Sequence, residues 1–268
     1  MSSNPGNFID PRAKIGSNVI IDPFSCIHGD VVIGDNTWIG SHVTIFDGAR
    51  IGNDCRIFPG AVISAVPQDL KFRGESTTAE VGDHTVIREC VTINRGTAAM
   101  GRTAVGRHCL LMAYVHVAHD CILGDHVILA NSVNLAGHVT IQDWAILEGY
   151  VGVSQFMHLG AHSFIGGQSG VRKHVPPFVK AAREPLSFAG INSVGLIRRG
   201  YSKEVIDEIQ EMYRIIYQRG YLMNRALDEI EKGFASSAHR DLILSFIHNA
   251  EKGIIRGPGR QRPTSASE

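Results

Sequence analysis

The 268-residue chain has no excess of either charge, with 26 Lys and Arg against 26 Asp and Glu. That balance argues against general affinity for nucleic acid or an anionic membrane and leaves only local basic patches. Charge is also scarce, at 19% of residues against the ~25% usual in globular domains. A surface short of charge fits one partly covered by another subunit. No apolar run approaches the ~18 residues that would cross a bilayer, and the opening MSSNPGNFID lacks the apolar segment of an export signal. The five cysteines, Cys26, Cys55, Cys90, Cys109 and Cys121, include no C-x-x-C pair. An odd number without an export signal reads as reduced thiols in a cytoplasmic protein without stable membrane insertion.

What the sequence has is a period of six. Aliphatic residues recur at Ile9, Ile15, Ile21 and so on to Ile63, resume at Val81, Ile87 and Ile93, and run again from Val105 through Leu111, Val117 and Leu123 to Val171. Neither the helical period of 3.6 nor simple alternation produces this. Hexads of this kind predict a mainly β fold, a parallel β-helix whose short strands stack coil on coil. The aliphatic residue faces inward, and a small residue two places earlier shares the interior; Cys55, Cys109 and Cys121 fall there and read as core fillers. Glycine often follows the aliphatic residue, as at Gly16, Gly34, Gly106 and Gly124, where a tight corner is expected to need unusual φ and ψ. Three hexads make one triangular coil, so residues 18 apart share a column, with coils ~4.8 Å apart.

Two stretches interrupt the period without losing its phase, residues 64–80 and 95–103, and both read as loops thrown outward where function tends to sit. A β-helix domain is expected over residues 1–190, its coils ending at Pro176 and Pro177. The stretch 180–200 reads as a connection. A C-terminal α-helical domain is expected over 191–255, opening with a helix capped by Ser202 that buries Val205, Ile209, Met212 and Ile216, then helices near 221–233 and 238–252. Residues 256–268 have the composition of a disordered tail.

The column rule gathers chemistry at one place. His119 lies under Gly137 and, two coils up, Gln155, with Gly101 one coil below; Asp120 lies under His138; His116 lies under Asn134 and Gly152. A histidine beneath a glycine has open space beside it and a bare backbone N–H in reach, which suits a base next to an oxyanion donor. An imidazole titrating near neutrality is a capable proton acceptor. Taken singly, Asp120 also reads as a turn residue and Gly137 as a corner. His28, His42, His84, His126, His162 and His174 read as solvated surface residues.

PQDLKF, RECVTINRGT, LLMAYVHVAHDC, ILANSVNLAGHV, QFMHLGAH, VPPFV and RRGYS resemble, in order and spacing, the UDP-N-acetylglucosamine acyltransferases that begin lipid A synthesis, over roughly residues 8–255. The resemblance implies a left-handed prism, a handedness the repeat alone does not give. It also implies a homotrimer with active sites between subunits. The reaction it implies moves an R-3-hydroxyacyl group from acyl carrier protein to the 3-hydroxyl of UDP-N-acetylglucosamine, without cofactor or metal. By resemblance His119 is the general base, Asp120 its assisting carboxylate and Gly137 the oxyanion donor. Gln68, Asp69 and Lys71 match a loop reaching the sugar from the neighbouring subunit. His116, His138 and Gln155 match substrate-facing residues, and Asn192, Arg198 and Arg199 match residues near the nucleotide phosphates. A basic surface around Arg198, Arg199 and Lys203 suits an acidic carrier protein. Gly167 matches the position that limits acyl-chain depth; glycine there predicts an open groove and a long chain, and Phe164 is a candidate for closing the groove elsewhere.

Ser154, Asn94 and Val194 depart from the family's usual His, His and Glu, and AAREP also differs from the usual stretch. Three other readings compete. One is the later N-acyltransferase of the same pathway, which normally carries an N-terminal domain ahead of the coils. Another is a zinc-dependent β-helix lyase, which needs three converging imidazoles. The third is a non-catalytic scaffold.

Overall fold

In the computed structural model, which describes residues 6–257, the hexads wind into a triangular prism. Most strands are two residues long, as at Cys26–Ile27, Trp38–Ile39 and Ile128–Leu129, because a chain that turns every six residues has no more to spare. Every strand but the last pairs in parallel with the one a coil away, so the backbone N–H and C=O groups of the strands are satisfied between coils. The first face runs from Phe8–Ile9 through His116–Val117 to Gly170–Val171. The second runs from Lys14–Ile15 through Ile122–Leu123 to His158–Leu159, and the third from Ile20–Ile21 through Ile128–Leu129 to Phe164–Ile165. The result is a left-handed parallel β-helix.

The hexad aliphatics fill the interior: Ile27, Ile45, Ile63, Ile93, Val117, Leu135 and Val171 form one sealed column, each contributing ~1.5–3 kcal/mol by burial. Cys55, Cys109 and Cys121 are buried among them, and burial pushes their thiols up to about 11, 11 and 12. They are inert small fillers.

The hexad glycines do something other than expected. Gly16, Gly34, Gly106 and Gly124 have no positive φ; the left-handed conformation falls two residues later, on Asn18, Asn36, His108 and His126. The glycines are needed for close approach between coils. A Cβ on Gly106 would lie 2.3 Å from the Gly124 carbonyl oxygen, and one on Gly124 would lie 2.8 Å from Asp143 N. The left-handed corner residues stack instead: ring centroids lie 4.7 Å apart for His84 and His108, 4.9 Å for His108 and His126, and 3.8 Å for His126 and Trp144.

Both interruptions leave from the corner between the first and second faces. Strand pairing persists into their roots, Ala65 with Asn94 and Thr78 with Arg102, so the strand-free segments shrink to 66–77 and 95–101.

The stretch 180–200 is more ordered than a connection. Val179–Ala182 extends the third face, Ser187–Ile191 pairs with it antiparallel, and helix α1 (Ser193–Arg198) follows, capped by Asn192. Phe188 anchors this hairpin against Tyr217, with ring centroids 4.4 Å apart, and against Tyr213. Helices α2 (Lys203–Gln218), α3 (Met223–Gly233) and α4 (Ala238–His248) then pack at the end of the prism. Ser202 caps α2 by accepting from Val205 N. Arg256, read as the start of a disordered tail, bridges to Ser187; residues 258–268 of that tail lie outside the described residues.

Gly106→Ala is expected to destabilise the fold by about 1–3 kcal/mol, because the Gly124 backbone cannot move aside. His108→Gly, at a left-handed corner, should cost less. Urea unfolding of the two variants checks this; a neutral Gly106→Ala would refute the close-approach explanation.

Candidate functional site

The corner between the first and second faces carries both loops and, above them, His119, Asp120, Gly137, His138 and Gln155. Ala118–Asp120 leaves the first face after strand His116–Val117, and the left-handed φ of Asp120 (60°) turns the chain onto the second face. His119 Nδ1 and Asp120 Oδ2 lie 2.8 Å apart, with the Asp120 side chain fully buried. An ionised carboxylate only accepts, so Nδ1 carries the hydrogen and Nε2 is left as the basic nitrogen.

Gly137 makes room for that ring. A Cβ on Gly137 would lie 2.6 Å from His119 Cε1 and 2.7 Å from Nε2, so the imidazole occupies the space a side chain would need. Among the described residues no acceptor takes the Gly137 N–H, although the equivalent amides at the next corner, Arg107 and Asp125, donate to carboxylates one coil above. His138 stacks edge-on to His119 at 5.2 Å, its Nε2 3.5 Å from Asp120 Oδ2, and its other side lies on Phe156 at 4.7 Å.

Below this corner the regular backbone bond is missing: His138 N donates to His119 O one coil up, but Asp120 N does not donate to Gly101 O. The insertion reroutes the chain, Gly101 O accepts from Thr78 N, and threonines take over the contact. Thr97 donates to Asp120 through N at 2.8 Å and Oγ1 at 2.7 Å, while Asp120 N donates to Thr103 Oγ1 at 2.8 Å. Burial pushes the Asp120 carboxyl up, but the hydrogen bonds from Thr97 and His119 outweigh it and hold the group below its ordinary value. Sequence reasoning flagged this loop without singling out Thr97; an unremarkable threonine gives no signal until the insertion is folded back.

His116 shares a 2.7 Å hydrogen bond with Thr92 Oγ1, and burial, helped by His119, holds its ring below the ordinary histidine value. It lines a first-face cleft of ≈ 460 Å³ with Asn134, Gly152, Ser154, Gly170 and Arg172. Arg172, three coil steps above Ala118, escaped the sequence reading because it lies beyond the histidine cluster.

The other candidates spread over the prism. Gln68, Asp69 and Lys71 ride on the first loop, where Asp69 Oδ1 accepts from Lys71 N and Leu70 is 95% exposed; no hydrogen bond ties them to His119 within one chain. Asn94 Nδ2 donates to Val66 O at the root of that loop. Asn192 is occupied, accepting from Gly195 N and donating to His162 O. Arg199 donates to Trp144 O and meets His162 Nδ1 at 3.3 Å, whereas Arg198 is exposed. Val194 is exposed on α1. Gly167 sits at the corner between the third and first faces, and Phe164 on the third face beneath Lys180.

The hexad prism is the architecture of the bacterial hexapeptide-repeat transferases. A bacterial transferase hexapeptide model matches residues 12–47 and 102–137, and a model described as UDP N-acetylglucosamine O-acyltransferase, domain 2, matches residues 174–255. The acyl-[acyl-carrier-protein]--UDP-N-acetylglucosamine O-acyltransferase of Chlorobaculum parvum is 50% identical over 193 residues, 72% of this chain and 73% of the relative. That of Thiobacillus denitrificans is 41% identical over 195 residues, 72% and 76%. The crystal structure of the UDP-N-acetylglucosamine acyltransferase of Bacteroides fragilis superposes with a TM-score of 0.93 at 50% identity, covering 94% of this chain and 99% of that one. The chain belongs to the UDP-N-acetylglucosamine O-acyltransferase family.

Two histidines read as solvated are neither free nor ordinary. His162 contacts Arg199 and Tyr201, and His174 Nδ1 accepts from His158 N; burial brings both rings down to about 4. Between about pH 4 and 6.5 the unfolded chain binds more protons at these sites, so stability rises with pH across that window. A His162→Gln/His174→Gln variant should therefore lose less stability than the wild type between pH 7 and pH 5. Urea midpoints at the two pH values measure this, and parallel losses would contradict the assignment.

Proposed function

We propose that the chain transfers an R-3-hydroxyacyl group from acyl carrier protein to the 3-hydroxyl of UDP-N-acetylglucosamine, a cytoplasmic step that opens lipid A synthesis. The observation that carries the reading is the His119 ring, seated in the space vacated by Gly137 with Nδ1 on Asp120 and Nε2 bare. In this mechanism Nε2 takes the hydroxyl proton as the sugar oxygen attacks the thioester carbonyl. Charge developing on the carbonyl oxygen is met by the free Gly137 N–H. The new C–O bond forms, the C–S bond breaks, and the imidazolium returns its proton to the leaving thiolate. Asp120, kept ionised by Thr97, stabilises the imidazolium in between. No covalent enzyme intermediate, metal or cofactor enters.

The site residues are divided among three corners of one prism, so a complete site draws on more than one chain. A homotrimer supplies Gln68, Asp69 and Lys71 from a neighbour and lets His116, His138 and Gln155 face the sugar. Of Asn192, Arg198 and Arg199, only Arg198 has a side chain left unengaged among the described residues, and it is the one of the three open to the nucleotide. Gly167 leaves its corner without a side chain; with each buried methylene worth ~0.8 kcal/mol, the favoured donor has about 14 carbons or more.

One observation favours a second reading. His119, Asp120 and His138 offer ligand atoms within 4.8 Å of one another, a possible metal set. The Asp120 oxygens already accept from Thr97 and His119, so the group fits proton transfer better.

The test is an acyl-transfer assay with UDP-N-acetylglucosamine and hydroxyacyl carrier proteins of several lengths, run with light scattering and metal analysis. His119→Ala should lower kcat by about 10²–10⁴-fold with an unchanged unfolding midpoint, in a metal-free trimer that favours the longer donors. Full activity in that variant, or stoichiometric zinc removed together with activity, would overturn the mechanism. A monomer would overturn the shared site, and a preference for ten-carbon donors (~10) the open groove.

A further inference from the structure

Above His119 the first-face corner is paved with small residues. The column next to it reads Ala118, Ala136, Ser154 and then Arg172, and the column of His116 reads Asn134, Gly152 and Gly170. A Cβ on Gly152 would meet nothing within 4 Å, and one on Gly170 would lie 4.0 Å from Arg172 Nε. The cleft is therefore a trough that ends on the Arg172 guanidinium, three coil steps or about 14 Å from His116. There it joins a second cavity of ≈ 520 Å³, with which it shares Gly170 and Arg172.

This second cavity is cationic. Arg172, Lys173, Arg183 and Arg256 line it, with Glu184 as the one acid and Leu186 and Ile255 as apolar lining. Lys173 Nζ is bound to Lys252 O, but among the described residues no carboxylate pairs with Arg172, Arg183 or Arg256. They come from three separate segments, the last coil, the hairpin turn and the chain after α4. Unpaired guanidiniums around a cavity at the end of a trough suit a phosphate ester, which accepts paired N–H donors in their fork geometry.

We propose that Arg172, Arg183 and Arg256 form a seat for a phosphate group of a substrate whose reactive end lies beside His119. The proposal rests on the transferase reading, which offers two sources of that chemistry: the phosphodiester at the far end of the donor's pantetheine arm, and the diphosphate of the sugar nucleotide. At ~3.5 Å per extended unit, an arm of four amino-acid-sized units spans about 14 Å, the length of the trough.

Direct titration with phosphopantetheine and with uridine diphosphate, followed by calorimetry, tests the seat without relying on turnover. Arg172→Ala/Arg183→Ala should weaken binding of one of the two about tenfold or more, the loss expected for charge-assisted hydrogen bonds. Kinetics then name the source. If the donor's phosphate sits there, the ratio of kcat/KM for acyl-phosphopantetheine to that for acyl-pantetheine falls about tenfold in the variant. If the nucleotide's does, KM for the sugar nucleotide rises instead. Unchanged binding of both ligands in a folded variant overturns the seat, even where transfer is normal. Wild-type protein that binds a phosphate ligand through these arginines yet transfers no acyl group would keep the seat and remove the transferase reading.

Discussion

The backbone ladder between coils is the constraint from which the site follows. Because each coil bonds to the next in fixed register, a position keeps its place in a column from one end of the prism to the other. Space is then shared vertically: what one coil gives up, its neighbour uses. At Gly106 the space is taken by the next coil's backbone, and at Gly137 by the ring of His119. The same residue type thus serves close packing at one corner and makes room for the His119 ring at another. At the second corner the shared space becomes a pile of His, Trp and Phe rings.

The corner of His119 differs from the other two in carrying both insertions. They lengthen the strands at their roots and then leave the ladder, and the loop at 95–101 folds back so that Thr97 grips Asp120. A buried carboxylate without those donors would sit at an ordinary or raised value and hold the imidazole less firmly. The insertions therefore do two jobs: one sets the electrostatics of the pair, and the other reaches away from its own prism, with Leu70 and Val66 bare to solvent. Both are consistent with a site completed by a neighbouring chain.

Much of this was legible in the sequence, because a strict period converts residue numbers into positions. The prism, its filled interior with three cysteines, and the stacking of His116 under Asn134 and of Asp120 under His138 follow from counting by six and by 18. Counting fails where the period breaks. Thr97 was invisible because it lies on the insertion, outside the hexad count. Composition also misled about glycine, whose column position was right but whose purpose was close approach, since asparagine and histidine can take the left-handed corner themselves. The hairpin at 179–191 and the capping role of Asn192 were missed because short irregular segments are fixed by what they pack on, here Tyr213 and Tyr217.

The chemistry rests on one tautomer of one ring. Nitrogen-15 NMR of the metal-free protein at neutral pH, with His119 assigned by its absence in His119→Ala, reads that tautomer directly. The geometry predicts hydrogen on Nδ1 and a bare Nε2. Hydrogen on Nε2, or a ring nitrogen bound to an ion, would contradict it.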